Sequence, residues 1–216
     1  MAAAPRLNDA VQRPGGDPAL RGLALFFGAA CAREPAAVGE ALAAARGVGC
    51  EPARLHAAAL QVVPFAGFPR AIEALGQLAA AGLPAGAAPA PPATAESARA
   101  GRAVFDAIYG AQAESVLAGL QRLAPGFGDW VLQGAYARVL AGPGLTLRER
   151  ELLAVAALAL MSQPAPLESH LRGALRNGSS VAEATDILAT VAVLAAPAAL
   201  TVLDRAVQRL SRSSEP

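Results

Sequence analysis

The stretch TLRERELLAVAALALMSQPAPLESHLRGALRNGSSVAEATDIL, Thr146–Leu188, decides how the chain is read. Thr146 stands where an N-cap belongs, with Glu149 three residues on. In that pattern a hydroxyl and a carboxylate each satisfy a free amide of the first turn. The spacing predicts a helix from Leu147 to about Ser162, stopping before Pro164 and Pro166. A second helix is expected over about Leu167–Arg176, ended by Asn177-Gly178, a good C-terminal stop. Ser180 with Glu183 repeats the capping pattern and opens a third, about Val181–Ala195, which Pro197 kinks or breaks before a last helix ending near Leu210.

Upstream the same signals recur. Ala95–Tyr109 and Ser115–Leu123 read as short helices, followed by a break at Pro125-Gly126. Asp129–Ala141 carries Trp130, Val131, Ala135, Tyr136 and Val139 at helical spacing and ends at Gly142-Pro143-Gly144. Alanine, abundant throughout, favours closely packed helices, and aromatics are only 4%. No stretch reads as a strand, so the fold class is all-α.

Four regions are expected: a loose arm over 1–18, a helical block over 19–80, a Pro/Ala/Gly linker over 81–94, and a second helical block over 95–216. Sliding the chain on itself by 129 residues sets Leu23 on Leu152, Leu42 on Leu171, Ala45 on Ala174 and Gly49 on Gly178. Each half is then helix, Pro-containing break, helix, glycine stop, long helix, proline, helix. Two similar amphipathic units in one chain normally pack about a pseudo-twofold axis.

Composition excludes several function classes. With 216 residues, 54% hydrophobic and 16% charged, the chain has ample material for a core and is not disordered. Eighteen Lys and Arg against seventeen Asp and Glu leave a net charge of +1, which gives no electrostatic footprint for nucleic acid. The most apolar run, Ile187–Leu203, contains Pro197 and is shorter than the roughly 20 residues that span a bilayer, so no membrane partner is expected. Two cysteines, Cys31 and Cys50, make no disulfide framework, the first twenty residues hold no apolar signal core, and a reducing cytoplasm is the natural home. Two histidines at unrelated spacing give no metal ligand set, and no glycine-rich phosphate loop occurs, so neither metal nor cofactor is expected.

The Thr146–Leu188 stretch, with its Arg-Glu-rich helix start and His-x-x-x-Ala-Leu-x-x-Gly element, resembles the carboxymuconolactone decarboxylase family, of AhpD-like fold. LQVVPFAGFPRAIEALGQL, in the first block, is similar to that family's helix ending in a Gly-x-Pro kink. The resemblance implies two AhpD-like units in one chain and a homo-oligomer, a trimer of tandem units. The peroxidase branch of the superfamily uses a Cys-x-x-Cys pair, a histidine and a glutamate. Here His170 and Glu151 match the last two, but Gln163 and Pro166 occupy the cysteine positions. In the first block the corresponding residues are Glu34, Ala37 and, for the histidine, Ala41. Peroxide reduction needs an attacking and a resolving thiol, so that chemistry is the least expected. Cys31 and Cys50 read as buried small hydrophobes.

The resemblance then implies acid–base decarboxylation of a small carboxylated lactone or a related aromatic-degradation intermediate. His170 would be the acid/base, Glu151 its orienter, and Arg150 or Arg172 the carboxylate anchor, with Arg148 a further cation nearby. The rival is a non-catalytic oligomeric binding relative that kept the fold and lost the chemistry. His56 is expected in a packing or surface role. Trp130 and Tyr136 are expected in the core or a subunit contact rather than in a ligand cage. Phe65 and Phe68, around Gly67-Phe68-Pro69, read as a helix kink packed on the neighbouring unit, with a pocket-lining role the lesser alternative.

Overall fold

The computed structural model describes residues 3–33, 35–83 and 94–212, and among them every regular element is a helix. The order is α1 Ala3–Gln12, α2 Pro18–Ala32, α3 Pro35–Gly47, α4 Pro52–Ala80, α5 Ala95–Tyr109, α6 Ala113–Leu123, α7 Phe127–Val131, a π-helix Leu132–Leu140, α8 Leu147–Leu160, α9 Pro164–Arg176, α10 Val181–Val191 and α11 Pro197–Arg212.

Two helices are buried on all sides. In α2 every residue from Leu20 to Cys31 is buried, and in α8 every residue from Arg150 to Leu160. A helix apolar all round has no solvent face to offer, so it becomes the centre of the core. Here α2 and α8 pack on each other, and Gly28 of α2 lies so close to Leu160 that a Cβ there would sit 2.8 Å from its Cδ1. Around this pair stand α3, α4, α10 and α11, all contributing to one core cluster. A second, smaller cluster joins α5, the π-helix and the start of α6 through Phe105, Ile108, Ala113, Tyr136 and Leu140. Gly101 lets α5 approach, since a Cβ there would meet Ala137 N at 2.6 Å.

The capping patterns at Thr146/Glu149 and Ser180/Glu183 both form. Other expectations change. The region 1–18 is not a loose arm: α1 fills much of it, and Leu7, Ala10 and Val11 are buried in the main core. Pro164 and Pro166 open α9 instead of separating two helices, because the amides they lack are ones a first turn leaves unpaired anyway. Residues 132–140 form a π-helix, with the Ala141 amide donating to the Tyr136 carbonyl five residues back at 2.8 Å. The apolar spacing there suits either helix type. The kink expected near Gly67 is present, with Gly67 at φ 83 and ψ 173 inside α4. Residues 84–93, most of the expected linker, and Glu34 lie outside the described residues.

One polar knot fastens the N-terminal turn to the second half. Arg21, 2% exposed, donates Nε and Nη2 to the two carboxylate oxygens of Asp186 at 2.7 and 2.9 Å. Its remaining donors go to the carbonyls of Arg13 and Gly15, both at 2.6 Å, and of Val11. Arg13 adds bonds to Asp186 and Thr190. Removing one partner of a buried pair leaves an uncompensated charge, which costs ~3–5 kcal/mol. Asp186→Ala is therefore expected to lower the urea-unfolding free energy by roughly 3 kcal/mol, the low end because Asp186 keeps some exposure. A loss below about 1 kcal/mol would show that the knot is not structural.

Candidate functional site

The capping box at Thr146 fixes where α8 begins, and so places Arg150 and Glu151 just beyond its first turn. Ser162, at φ 57, turns the chain, and α9 packs back on α8. That return brings His170 to Glu151, Nδ1 to Oε2 at 3.0 Å, with His170 7% and Glu151 1% exposed. Gly173 makes room for the carboxylate: a Cβ there would collide with Glu151 Oε2. The other carboxylate oxygen, Oε1, is buried without a hydrogen-bond partner among the described residues. With Nδ1 donating to the carboxylate, Nε2 of the neutral ring carries the lone pair.

His170 also lines a cavity of about 920 Å³ between α4, the π-helix and the Gly142-Pro143-Gly144 turn. Phe65, whose ring centroid lies 5.8 Å from that of His170, forms one wall. The opposite wall carries Trp130, Val131, Tyr136 and Val139. The ionisable side chains on the lining are His56, Tyr136, Arg138, Arg150 and His170, and none is a carboxylate. Tyr136 donates to Tyr109 Oη at 3.1 Å. Burial raises both phenol pKa values, and the negative charge of Glu151 adds to the rise, so both stay protonated at neutral pH. Burial pushes His56 the other way, favouring its neutral form.

Arg150 is 2% exposed. Its Nη1 donates to Gln61 Oε1 at 3.0 Å, and its Nη2 to the carbonyls of Gly142 and Pro143 at 2.8 and 3.1 Å. Gln61 in turn donates to the Arg150 carbonyl at 2.9 Å. Burial lowers the guanidinium pKa to about 10, still charged at neutral pH, and Nε is buried without a partner among the described residues.

The structure thus brings Glu151, His170 and Arg150 to one place and leaves Arg172 out. Arg172 lies on the exposed side of α9, near Glu168 and Ser169 and off the cavity lining. An α-helical step of two residues from His170 turns a side chain to the opposite face, which is why Arg172 cannot reach the same pocket. Arg148 pairs with Glu183. His56 and Trp130 take places the sequence reading did not assign: both line the cavity, and Trp130 is 73% exposed at its edge, not in the core. Phe65 and Phe68 both line it too. Gln61 was missed altogether; its only signal was a lone amide within the apolar run AAALQVVPF. Among the described residues no group of three His, Cys, Asp or Glu is placed to hold a metal ion.

Both cysteines are buried and unpaired. Burial raises Cys31 far above the usual thiol range and Cys50 to about 11. Reactivity follows the thiolate, so neither suits peroxide chemistry.

Residues 125–208 match the sequence profile of the carboxymuconolactone decarboxylase family. No curated protein matches the chain. Among solved structures, the chain is similar to a Burkholderia xenovorans LB400 protein provisionally named a gamma-carboxymuconolactone decarboxylase subunit. Identity is 23%, the match covers 98% of this chain and 86% of that one, and the TM-score is 0.56. This likeness shows an all-α, AhpD-like fold. The profile match spans α8, α9 and α10 with Glu151 and His170, and it begins after α5 and α6.

Two outcomes are expected. Gly173→Ala pushes the Glu151 carboxylate off its seat and is expected to destabilise the protein by about 1–3 kcal/mol in urea unfolding. An unchanged midpoint would contradict the contact. At pH 8, some three pH units below the Cys50 value of about 11, only about one Cys50 in a thousand is ionised. A disulfide reagent should therefore label the folded protein far more slowly than the urea-unfolded chain. Equal labelling rates would contradict the burial of both thiols.

Proposed function

We propose that the chain is a carboxymuconolactone-decarboxylase-like acid–base enzyme. It acts on a small carboxylated lactone or related aromatic-degradation intermediate, with one competent site per chain. The observation that carries this reading is the buried Glu151–His170 pair at the wall of a cavity that also holds the Arg150 cation. In a decarboxylation the C–C bond to a carboxylate breaks, carbon dioxide leaves, and the electron pair stays on the substrate skeleton until a proton takes it. His170, entering the step with both ring nitrogens protonated, is the group suited to supply that proton from Nε2, which leaves the neutral Nδ1–H ring held by Glu151. Water restores the proton afterwards. Arg150 anchors a carboxylate of the substrate.

The tandem reading has support in the helix boundaries. Pro18, Pro35 and Pro52 begin α2, α3 and α4, and Leu147, Pro164 and Val181, each 129 residues on, begin α8, α9 and α10. At the same offset Gly22 and Ala41 stand where the second half has Glu151 and His170, which is why one site is proposed. The first unit then includes α1, and α5 and α6 lie between the units. Exposed Phe68, Ile72, Leu123 and Trp130 favour a homo-oligomer, proposed as a trimer of tandem chains in the cytoplasm.

The test is carbon dioxide release from a panel of carboxylated lactones by the parent protein and by His170→Ala. Loss of a general acid–base group is expected to lower kcat by about 10²–10⁴-fold while the circular dichroism spectrum stays helical. Undiminished turnover in His170→Ala would remove His170 from the chemistry. No turnover by the parent across the panel would favour a binding protein that has kept only the fold.

A further inference from the structure

Two arginines occupy matching places, and only one of them has a carboxylate. Arg21 and Arg150 each stand four residues after the N-cap of a central helix, Asp17 for α2 and Thr146 for α8, and each is 2% exposed. Each donates to carbonyls of the turn before its own helix: Arg13 and Gly15 for Arg21, Gly142 and Pro143 for Arg150. Each also meets a helix from the other half of the chain. Arg21 meets Asp186, the sixth residue of α10, with Thr190 one turn further on. Arg150 meets Gln61 of α4, and one turn earlier, at the sixth position of that helix, stands Ala57.

The two differ in what lies one turn on, where Gln61 takes a bond from Arg150 and Thr190 takes one from Arg13, and above all in the carboxylate. At Arg21 the Asp186 carboxylate takes Nε and Nη2 together. At Arg150 the corresponding residue is a methyl group, Nε is buried without a partner, and no carboxylate among the described residues lies within ion-pair distance. Glu149 acts on Arg150 through space without forming an ion pair, so the buried guanidinium has no carboxylate in contact, and a carboxylate placed against it forms a strong charge-assisted bond. Both Ala57 and Arg150 line the cavity, so the cavity is the side from which a ligand carboxylate can approach the guanidinium.

We infer that Ala57 and Arg150 form a carboxylate seat, in which a ligand carboxylate does for Arg150 what Asp186 does for Arg21, and that the cavity takes an amphipathic monocarboxylate. The rest of the lining sets the body of that ligand. Phe65, Phe68, Leu60, Val63 and Trp130 give an apolar and aromatic wall, and no acidic side chain faces it. One carboxylate on an aromatic or aliphatic body satisfies both halves of the site. Of the other ionisable groups on the lining, Arg138 is exposed, burial favours neutral His56 and His170 is held by Glu151, so a second carboxylate pressed against the apolar wall would find no buried counter-charge of its own. Ala57 is then a specificity-determining residue, since an acid at that position would supply the charge from the protein itself. This inference rests on the cavity being the site proposed above, and it names the ligand which that site accepts.

The chain has a single tryptophan, Trp130, and it lies on the cavity lining, so its fluorescence reports occupancy without any turnover. The experiment titrates the full chain with 4-phenylbutyrate, its amide and the dicarboxylate glutarate. The acid is expected to bind at least about tenfold more tightly than the amide and more tightly than glutarate. Ala57→Asp is expected to reduce acid binding to the level of the amide and to raise the melting temperature, while Ala57→Asn keeps the acid preference. Equal affinities for acid and amide, tighter binding of glutarate, or undiminished acid binding in folded Ala57→Asp would each overturn the inference. Should Ala57→Asp not fold, the acid–amide comparison on the parent protein decides alone. Carboxylactone turnover without any acid preference would overturn this inference and leave the proposed function standing. Acid preference without turnover would do the reverse.

Discussion

A cation and an anion stand side by side near the start of a helix that has no solvent-facing side. Arg150 and Glu151 are 2% and 1% exposed, and from Leu152 to Leu160 every following residue of α8 is buried among apolar neighbours. Neither charge is tolerable there alone. Successive side chains on a helix diverge by about 100°, so the two must be satisfied by different neighbours. Glu151 is answered by His170 of α9, and Arg150 by Gln61 of α4 and the carbonyls of the 142–143 turn. The positions of α9, of α4 and of that turn are thereby tied to one place on α8. The cavity is the space left between them.

Each answer is incomplete in a way that matters chemically. Glu151 leaves Oε1 without a partner, and Arg150 leaves Nε without one. Arg21, by contrast, spends its donors on Asp186 and on three backbone carbonyls. Ser179 Oγ is likewise buried without a partner among the described residues, but Arg150 lines the cavity and Glu151 bonds to His170 of its lining, so the open capacity of this pair stands beside the space proposed to hold a ligand. The apolar walls add to this, because electrostatic interactions strengthen where water is excluded.

Much of this was legible from residues alone. The capping signals at Thr146 and Ser180 are local, and they located α8 and α10 because a cap is decided by a few neighbouring atoms. Glu151 and His170 stand out through the family resemblance, and they meet because the tight turn after α8 makes antiparallel neighbours of the two helices. What escaped was decided at long range. Leu7, Ala10 and Val11 in a Pro/Gly-rich start read as an arm, and only the Arg13–Arg21–Asp186 knot, which bridges ends of the chain far apart in sequence, explains why α1 packs. Trp130 on a helical pattern reads as core or subunit contact rather than cavity wall, and the π-helical geometry that follows it is invisible in the spacing. Arg172 was included because two residues along the sequence look close, whereas two residues along a helix face opposite ways.

The Glu151–His170 bond is the contact on which site and chemistry both rest, and its proton is directly observable. Nitrogen-15 NMR of the imidazole rings, with His56→Gln to assign the only other histidine, reports which ring nitrogen carries hydrogen in the neutral form. An isolated histidine favours the proton on Nε2. With Nδ1 held by the Glu151 carboxylate at 3.0 Å, the expected result for His170 is the Nδ1–H tautomer, reverting to the ordinary form in Glu151→Gln. A neutral His170 protonated on Nε2 in the parent protein, with a spectrum unmoved by Glu151→Gln, would contradict the orienting contact and the acid–base site built on it.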